Sequence, residues 1–163
     1  MALLEKFIKI ASLSMYLNNI YAAKAIYTGI SHPAISRMTR TFGSISRDSK
    51  LKFNKLHAIV SMDNNGVSYR THFKNTSSPC VPYLGLHTKD LVFILDGNPN
   101  FLQRDGDQIV NFQKLYMIWE TVSDVMHGLH STYKIRPHPQ MRKWFLLSAP
   151  VLHESQIFLW SKR

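Results

Sequence analysis

The stretch Pro-Cys-Val-Pro-Tyr-Leu-Gly-Leu-His-Thr-Lys-Asp-Leu-Val-Phe-Ile-Leu-Asp-Gly-Asn-Pro, from Pro79 to Pro99, decides how the rest of the chain reads. Pro79 and Pro82 hold their own φ and push the residue before each toward extended backbone, so the segment enters as an ordered, non-helical arm. The apolar run Leu91–Leu95 then meets Asp96-Gly97-Asn98-Pro99, a dense stop signal. Taken alone, that run slightly favours a buried strand, because Val, Phe and Ile are strand formers and so short a run has no decisive periodicity. The next segment shifts the reading to helix. Phe112, Leu115, Trp119, Val122, Met126 and Leu129 recur at alternating spacings of three and four, a heptad-type seam. Such a helix needs an apolar partner, and the nearest is Leu91–Leu95 across a short Gly-containing connection. The expectation is a protruding helical hairpin.

Outward from the hairpin the pattern is helical throughout. Leu4, Phe7, Ile8, Ala11 and Met15 form one stripe, while Leu3, Ile10, Leu13 and Leu17 form a second on another side, so the first helix wants burial nearly all round. Asn18-Asn19 ends it, and Ile20–Thr28 continues as a second helix stopped by Gly29. Ser31-His32-Pro33 opens a helix with Ile35, Met38 and Phe42 on one face, closed by Gly43. Ser46–Asp48 starts another, with Phe53, Leu56, His57 and Val60 inward and its lysines outward. Met62–Gly66 reads as a loop with left-handed asparagines, and Tyr69-Arg70 begins a short helix. After the hairpin, Pro137-His138-Pro139 breaks the chain. A helix runs from about Gln140 to Leu147, and Ala149-Pro150 introduces a last amphipathic piece ending at Trp160. The fold class is all-α, an irregular helical domain.

The chain has 163 residues, 45% hydrophobic and 12% aromatic, which suits one folded domain with a real core. Its single cysteine, Cys80, excludes an internal disulfide and points to a reducing compartment, the cytoplasm by default. No apolar run approaches the length of a membrane span. The lysine-flanked N-terminus loosely mimics a secretory signal, but Glu5, Ser12 and Ser14 interrupt it, and it reads as a core helix. The net charge of +10 is uneven: residues 1–75 hold 11 Lys or Arg against 3 acidic residues, and residues 76–163 hold 9 against 7. Arg37, Arg40, Arg47, Lys50, Lys52 and Lys55 supply most of that basic half. A solvated helix face explains such a pattern most simply, although nucleic acid, anionic lipid or an acidic protein surface would also suit it.

Covalent chemistry has no visible machinery. There is no glycine-rich phosphate loop, nucleophile elbow or catalytic carboxylate pair. His127 and His130 sit three apart, but no third ligand stands at a matching interval, so no metal and no cofactor is expected. No motif that reads base edges accompanies the basic charge, so specific nucleic-acid recognition is not expected either.

Pro-Cys-Val-Pro-Tyr-Leu-Gly at 79–85, Asp90–Ile94, Gly97-Asn98-Pro99 and Val110-Asn111-Phe112 together resemble the catalytic domain of Ras-type guanine-nucleotide exchange factors, the Sos-like RasGEF family. Leu17-Asn18-Asn19-Ile20, Ser36-Arg37-Met38 and Thr41-Phe42 follow that family's other blocks in order and spacing. The resemblance covers residues 1–163, and roughly the first third of the family domain has no counterpart before Met1. It implies a catalyst without covalent chemistry, whose hairpin wedges into a Ras-family small GTPase, pulls switch 1 off the nucleotide and lets GDP leave. Val92 stands where the family projects an apolar residue toward the magnesium site. Asp96, one helical turn on, stands where the family often places a glutamate that competes for the lysine of the GTPase phosphate loop. Tyr83 matches an aromatic that touches the switch surface, although it reads equally well as a packing residue. Leu84, Leu86 and Lys89 belong to the same GTPase-facing segment.

Departures from the family pattern are Ser31 in place of an asparagine, Ser36 where some members present a tyrosine, and Thr88-Lys89 in place of Leu-Thr. Ser31 and Ser36 are carried as GTPase-binding positions. The resemblance places membrane contact with the lipidated GTPase or the basic surface, hence a cytoplasmic protein recruited to the inner face of the plasma membrane. Two other readings stand beside the exchange factor. One is a GTPase-binding module without exchange activity, and the other is a basic helical nucleic-acid binder.

Overall fold

The structure is a computed structural model and describes residues 2–148 and 151–162. Its base is three helices, α1 (Ala2–Tyr16), α2 (Ile20–Ile30) and α5 (Arg47–Val60), packed pairwise on one another. The helical period turns Leu4, Ile8, Ala11 and Met15 of α1 inward, and Ile8 and Ala11 are fully buried. Phe7, expected on the same stripe, sits partly in solvent. The second stripe faces outward, with Leu13 at 51% exposure and Leu3, Ile10 and Leu17 beside it.

Asn18 ends α1 at φ 59°, a left-handed conformation that asparagine tolerates better than most residues. Asn19 then caps α2, its Oδ1 accepting from Ala22 N–H at 2.9 Å. The corner also receives the extended arm. Val81 N–H donates to Asn18 O at 2.9 Å, Tyr21 N–H donates to Val81 O at 3.1 Å, and Asn18 Nδ2 donates to Ser77 O at 3.1 Å.

The expected single helix after Ser31 is two, α3 (Pro33–Ser36) and α4 (Thr39–Ser44), broken at Arg37-Met38. The cap is His32, whose Nδ1 accepts from Ala34 N–H, while Ser31 closes α2. The break lets Ala34 enter the core and returns Phe42 against Phe53, with ring centroids 6.2 Å apart. Gly43 lies within α4 and does not close it.

Ser46 caps α5 as expected, its Oγ accepting from Ser49 N–H, and Leu56 and Val60 are buried. His57 lies at the edge, bonded to the Tyr27 hydroxyl at 2.7 Å. In α6 (Asp63–Lys74), Asn64, Asn65 and Gly66 make a left-handed first turn with φ of 49°, 57° and 69°. Glycine suits the last of these both by that φ and because a Cβ would stand 2.9 Å from Leu86 Cδ2, which would have to shift.

The hairpin follows as α7 (Leu84–Gly97) and α8 (Phe112–His127), packed on each other. Their connection is not the short link expected. It is a β-ribbon, β1 (Phe101–Arg104) antiparallel to β2 (Asp107–Val110), with Phe101 opposite Val110 and Arg104 opposite Asp107. Asp105 (φ 54°) and Gly106 (φ 91°) make the turn, the doubly left-handed pair that suits a two-residue hairpin. With so small a sheet the domain is all-α.

The α8 seam also differs from expectation, because Phe112, Leu115, Trp119 (61% exposed), Val122, Met126 and Leu129 are all exposed. The α8 residues turned inward include Lys114, Met117, Ile118, Thr121 and Val125. A run of adjacent apolar residues is spread about 100° apart around a helix, so Leu91–Leu95 offers no single stripe for a seam to meet. Leu91 and Ile94 point in, and Val92, Phe93 and Leu95 point out.

At the base of α8, Cys80 N–H donates to Gly128 O at 3.1 Å. A Cβ on Gly128 would stand 2.7 Å from both the Cys80 carbonyl oxygen and Sγ, so only glycine allows the arm to cross there. Helices α9 (Pro139–Leu147) and α10 (Glu154–Trp160) complete the chain. Arg37 ties α10 down by donating to Phe158 O and Ser161 Oγ. The Ala149-Pro150 boundary lies outside the described residues.

Candidate functional site

The hairpin is anchored at its base and free along one side. Tyr69 of α6 is fully buried, and its hydroxyl accepts from Tyr83 N–H at 3.0 Å while sharing a 2.9 Å hydrogen bond with His87 Nε2. Burial pushes the Tyr69 phenol up to about 12 and holds the His87 imidazole below its usual range. One helical turn beyond His87's neighbours, Arg70 forks onto Asp90, with Nη1 to Oδ2 at 2.7 Å and Nη2 to Oδ1 at 2.9 Å. These two contacts bolt the first half of α7 to α6. An open groove of about 950 Å³, lined by Tyr69, His87, Phe93, Thr121 and Asp124 among others, lies between α6 and the two arms.

Beyond the anchor, α7 presents Val92 and Asp96 to solvent. Val92 is 50% exposed and Asp96 is exposed one turn further on, so both stand on one outward face. Lys89 lies one turn before Phe93, its Nζ 5.4 Å from the ring centre, and Leu84 is exposed at the start of the helix. Tyr83 caps α7 and is half-buried, its ring 6.2 Å from Tyr21 and 6.4 Å from Tyr69, so it serves packing while keeping an open edge.

Leu86 is not on this surface. At 4% exposure it belongs to the core cluster of Ile20, Val60, Tyr69, Phe73 and Cys80. In this structure it packs beneath the hairpin and is not offered to a partner. Ser31 and Ser36 lie at the α2–α3 junction, a separate part of the chain. Ser36 is exposed and its Oγ donates to Pro33 O at 3.4 Å, whereas Ser31 Oγ is buried with no partner among the described residues.

Sequence reading missed the residues that hold the hairpin in place. Arg70 and Asp90 are 20 positions apart, and no local pattern pairs them. Lys114 carried a lysine's usual surface expectation yet is buried. Asn111, quoted as part of a motif, caps α8 by accepting from Lys114 N–H. The Asp105-Gly106 pair was a legible ribbon signal. Among the described residues, no group of three or more His, Cys, Asp or Glu side chains gathers to hold a metal, and the His127 and His130 rings stack edge to face instead.

An irregular, almost wholly helical domain with a helical hairpin is the fold anticipated from the sequence. The sequence model of the RasGEF domain matches residues 1–116, and the chain belongs to that family. It is 34% identical over 155 residues, 95% of its length, to Ras-specific guanine nucleotide-releasing factor 1 of Mus musculus, of which it spans 12%. It is 31% identical over 160 residues, 98% of its length, to Ras guanine nucleotide exchange factor M of Dictyostelium discoideum, of which it spans 17%. The chain therefore spans less than a fifth of either relative.

Proposed function

We propose that this domain accelerates GDP release from a Ras-family small GTPase by inserting the α7–α8 hairpin beside switch 1 and the magnesium site. Val92 fills space that the ion needs, and Asp96 takes over the phosphate-loop lysine as the nucleotide's phosphates leave. The single observation that carries this reading is the placement of Val92 and Asp96, one turn apart on the exposed face of an arm whose base is bolted by Arg70–Asp90 and Tyr69–His87. An anchored base lets binding energy act on the GTPase and keeps the arm from deforming. The names of the relatives support a Ras-type partner. Tyr83, Leu84 and Lys89 would extend the contact along the hairpin, and the basic first half would favour anionic membrane surfaces near a lipidated partner.

An aspartate is one methylene shorter than the glutamate common at this position. A charge-assisted bond from it would still contribute about 1.5–3 kcal/mol. The test is release of fluorescent GDP from a panel of Ras-like GTPases in the presence of the chain. Acceleration on at least one member is expected, and tight binding to nucleotide-free GTPase without accelerated release would favour the non-catalytic binding module.

A further inference from the structure

Lys114 stands in the first turn of α8 and is only 5% exposed, a rare position for a lysine. Asn111 begins the helix so that Lys114 N–H points back to its Oδ1 at 3.1 Å, and the side chain runs toward the far end of α7. There Nζ donates to Leu95 O at 2.8 Å, Asn98 O at 2.7 Å and Asn100 Oδ1 at 2.8 Å. Three donors meet three acceptors, none of them a carboxylate.

The C-terminal carbonyls of a helix lack intrahelical donors and carry the negative end of its dipole. The last turn of α7 has no basic residue of its own. Lys114 supplies that cation from the other arm, and Asn98 Nδ2 to Ile94 O and Asn111 Nδ2 to Pro99 O complete the closure. Leu95 O belongs to the peptide group that joins Leu95 to Asp96. The Asp96 carboxylate is itself exposed, so the backbone that carries it sets its direction.

We propose that Lys114 is a positioning residue that fixes the last turn of α7 and thereby aims Asp96 at the GTPase. The proposal rests on the exchange reading above and deepens it. Lys114→Met keeps an unbranched side chain one atom shorter and removes all three donors. Lys114→Gln retains one donor group and serves if the methionine variant does not fold.

Hydrogen exchange, melting and nucleotide release by the full chain test the proposal. The expected result is a folded variant whose amides at Asp96, Gly97, Asn98 and Asn100 exchange about tenfold faster, and whose release rate at saturating chain falls about tenfold with little change in half-saturation. In the Asp96→Ala background the same substitution should slow release by less than about twofold, because two residues acting through one contact are not additive. Rescue by Lys114→Gln to an intermediate rate is expected as well.

Additive losses in the double variant, or unchanged exchange at those amides, would overturn the proposal and leave the exchange reading standing. No release by the parent chain from any GTPase would defeat the exchange reading, and the aiming role with it.

Discussion

Arg70 holds Asp90 by two parallel hydrogen bonds of 2.7 and 2.9 Å, and this fork fixes α7 about 9 Å of helix rise below Asp96. The pair is half-exposed on the arginine side and more enclosed on the aspartate side. Removing one partner therefore costs more than for an open surface pair and less than for a buried one. Arg70→Met is expected to destabilise the fold by about 1–2 kcal/mol, a fall of roughly 2–8 °C in Tm. Nucleotide release should slow as well, because the arm loses part of its anchor. Thermal melting and a release assay check both, and an unchanged Tm would show that the fork contributes nothing measurable.

Asp96→Ala is expected to slow release about tenfold to a hundredfold, since a contact of about 1.5–3 kcal/mol would be lost only as nucleotide departs. Binding to nucleotide-free GTPase should weaken in parallel. Asp96→Glu should keep or raise the rate, and Val92→Asp should lower it by putting a carboxylate where an apolar group excludes the ion. Both positions are exposed, so circular dichroism should show all three variants folded. A folded Asp96→Ala variant with the parent rate would refute the role given to Asp96.

Among the apolar faces that stand open are the α1 stripe of Leu3, Ile10, Leu13 and Leu17 and the α8 seam that includes Trp119. Apolar surface left in water forfeits about 25 cal/mol per Å², and contiguous patches of this kind promote association. Light scattering is expected to show mass rising with concentration. Leu13→Lys combined with Trp119→Glu should lower that mass without lowering Tm, because neither side chain is buried. A parent chain that stays monomeric at high concentration would contradict this.

His87 makes stability depend on pH. Burial depresses its folded-state pKa, so between the two values the unfolded chain binds more protons than the folded one. The full stability is present above the unfolded value of about 6.5 and is lost as pH falls toward the lower folded value. Tm should therefore drop on acidification below that point. His87→Gln, which retains an acceptor for the Tyr69 hydroxyl, should flatten the decline. An equal slope in parent and variant would assign the effect to other groups.

The Ser46 start of α5, the left-handed asparagines before Gly66 and the inward stripe of α1, apart from Phe7, were legible in the chain. Each depends on residues within a few positions, where backbone preference and helical period act directly. Val92 and Asp96 were singled out only by the resemblance to the exchange-factor family; their four-residue spacing then puts both on one face of the helix.

What only the tertiary structure decided is which side of each helix meets which neighbour. The heptad spacing in α8 marked an apolar seam but could not say that Lys114, Ile118, Thr121 and Val125 would be on the enclosed side of the helix and the seam on the exposed one. Leu86 looked like a surface leucine until the left-handed turn at Gly66 closed over it. The forks and caps that hold the hairpin, Arg70 to Asp90 and Lys114 to Leu95, join residues 20 and 19 positions apart. Such pairings carry no local signature, because their energy exists only after the packing of α6, α7 and α8 has brought donor and acceptor together and excluded water from between them.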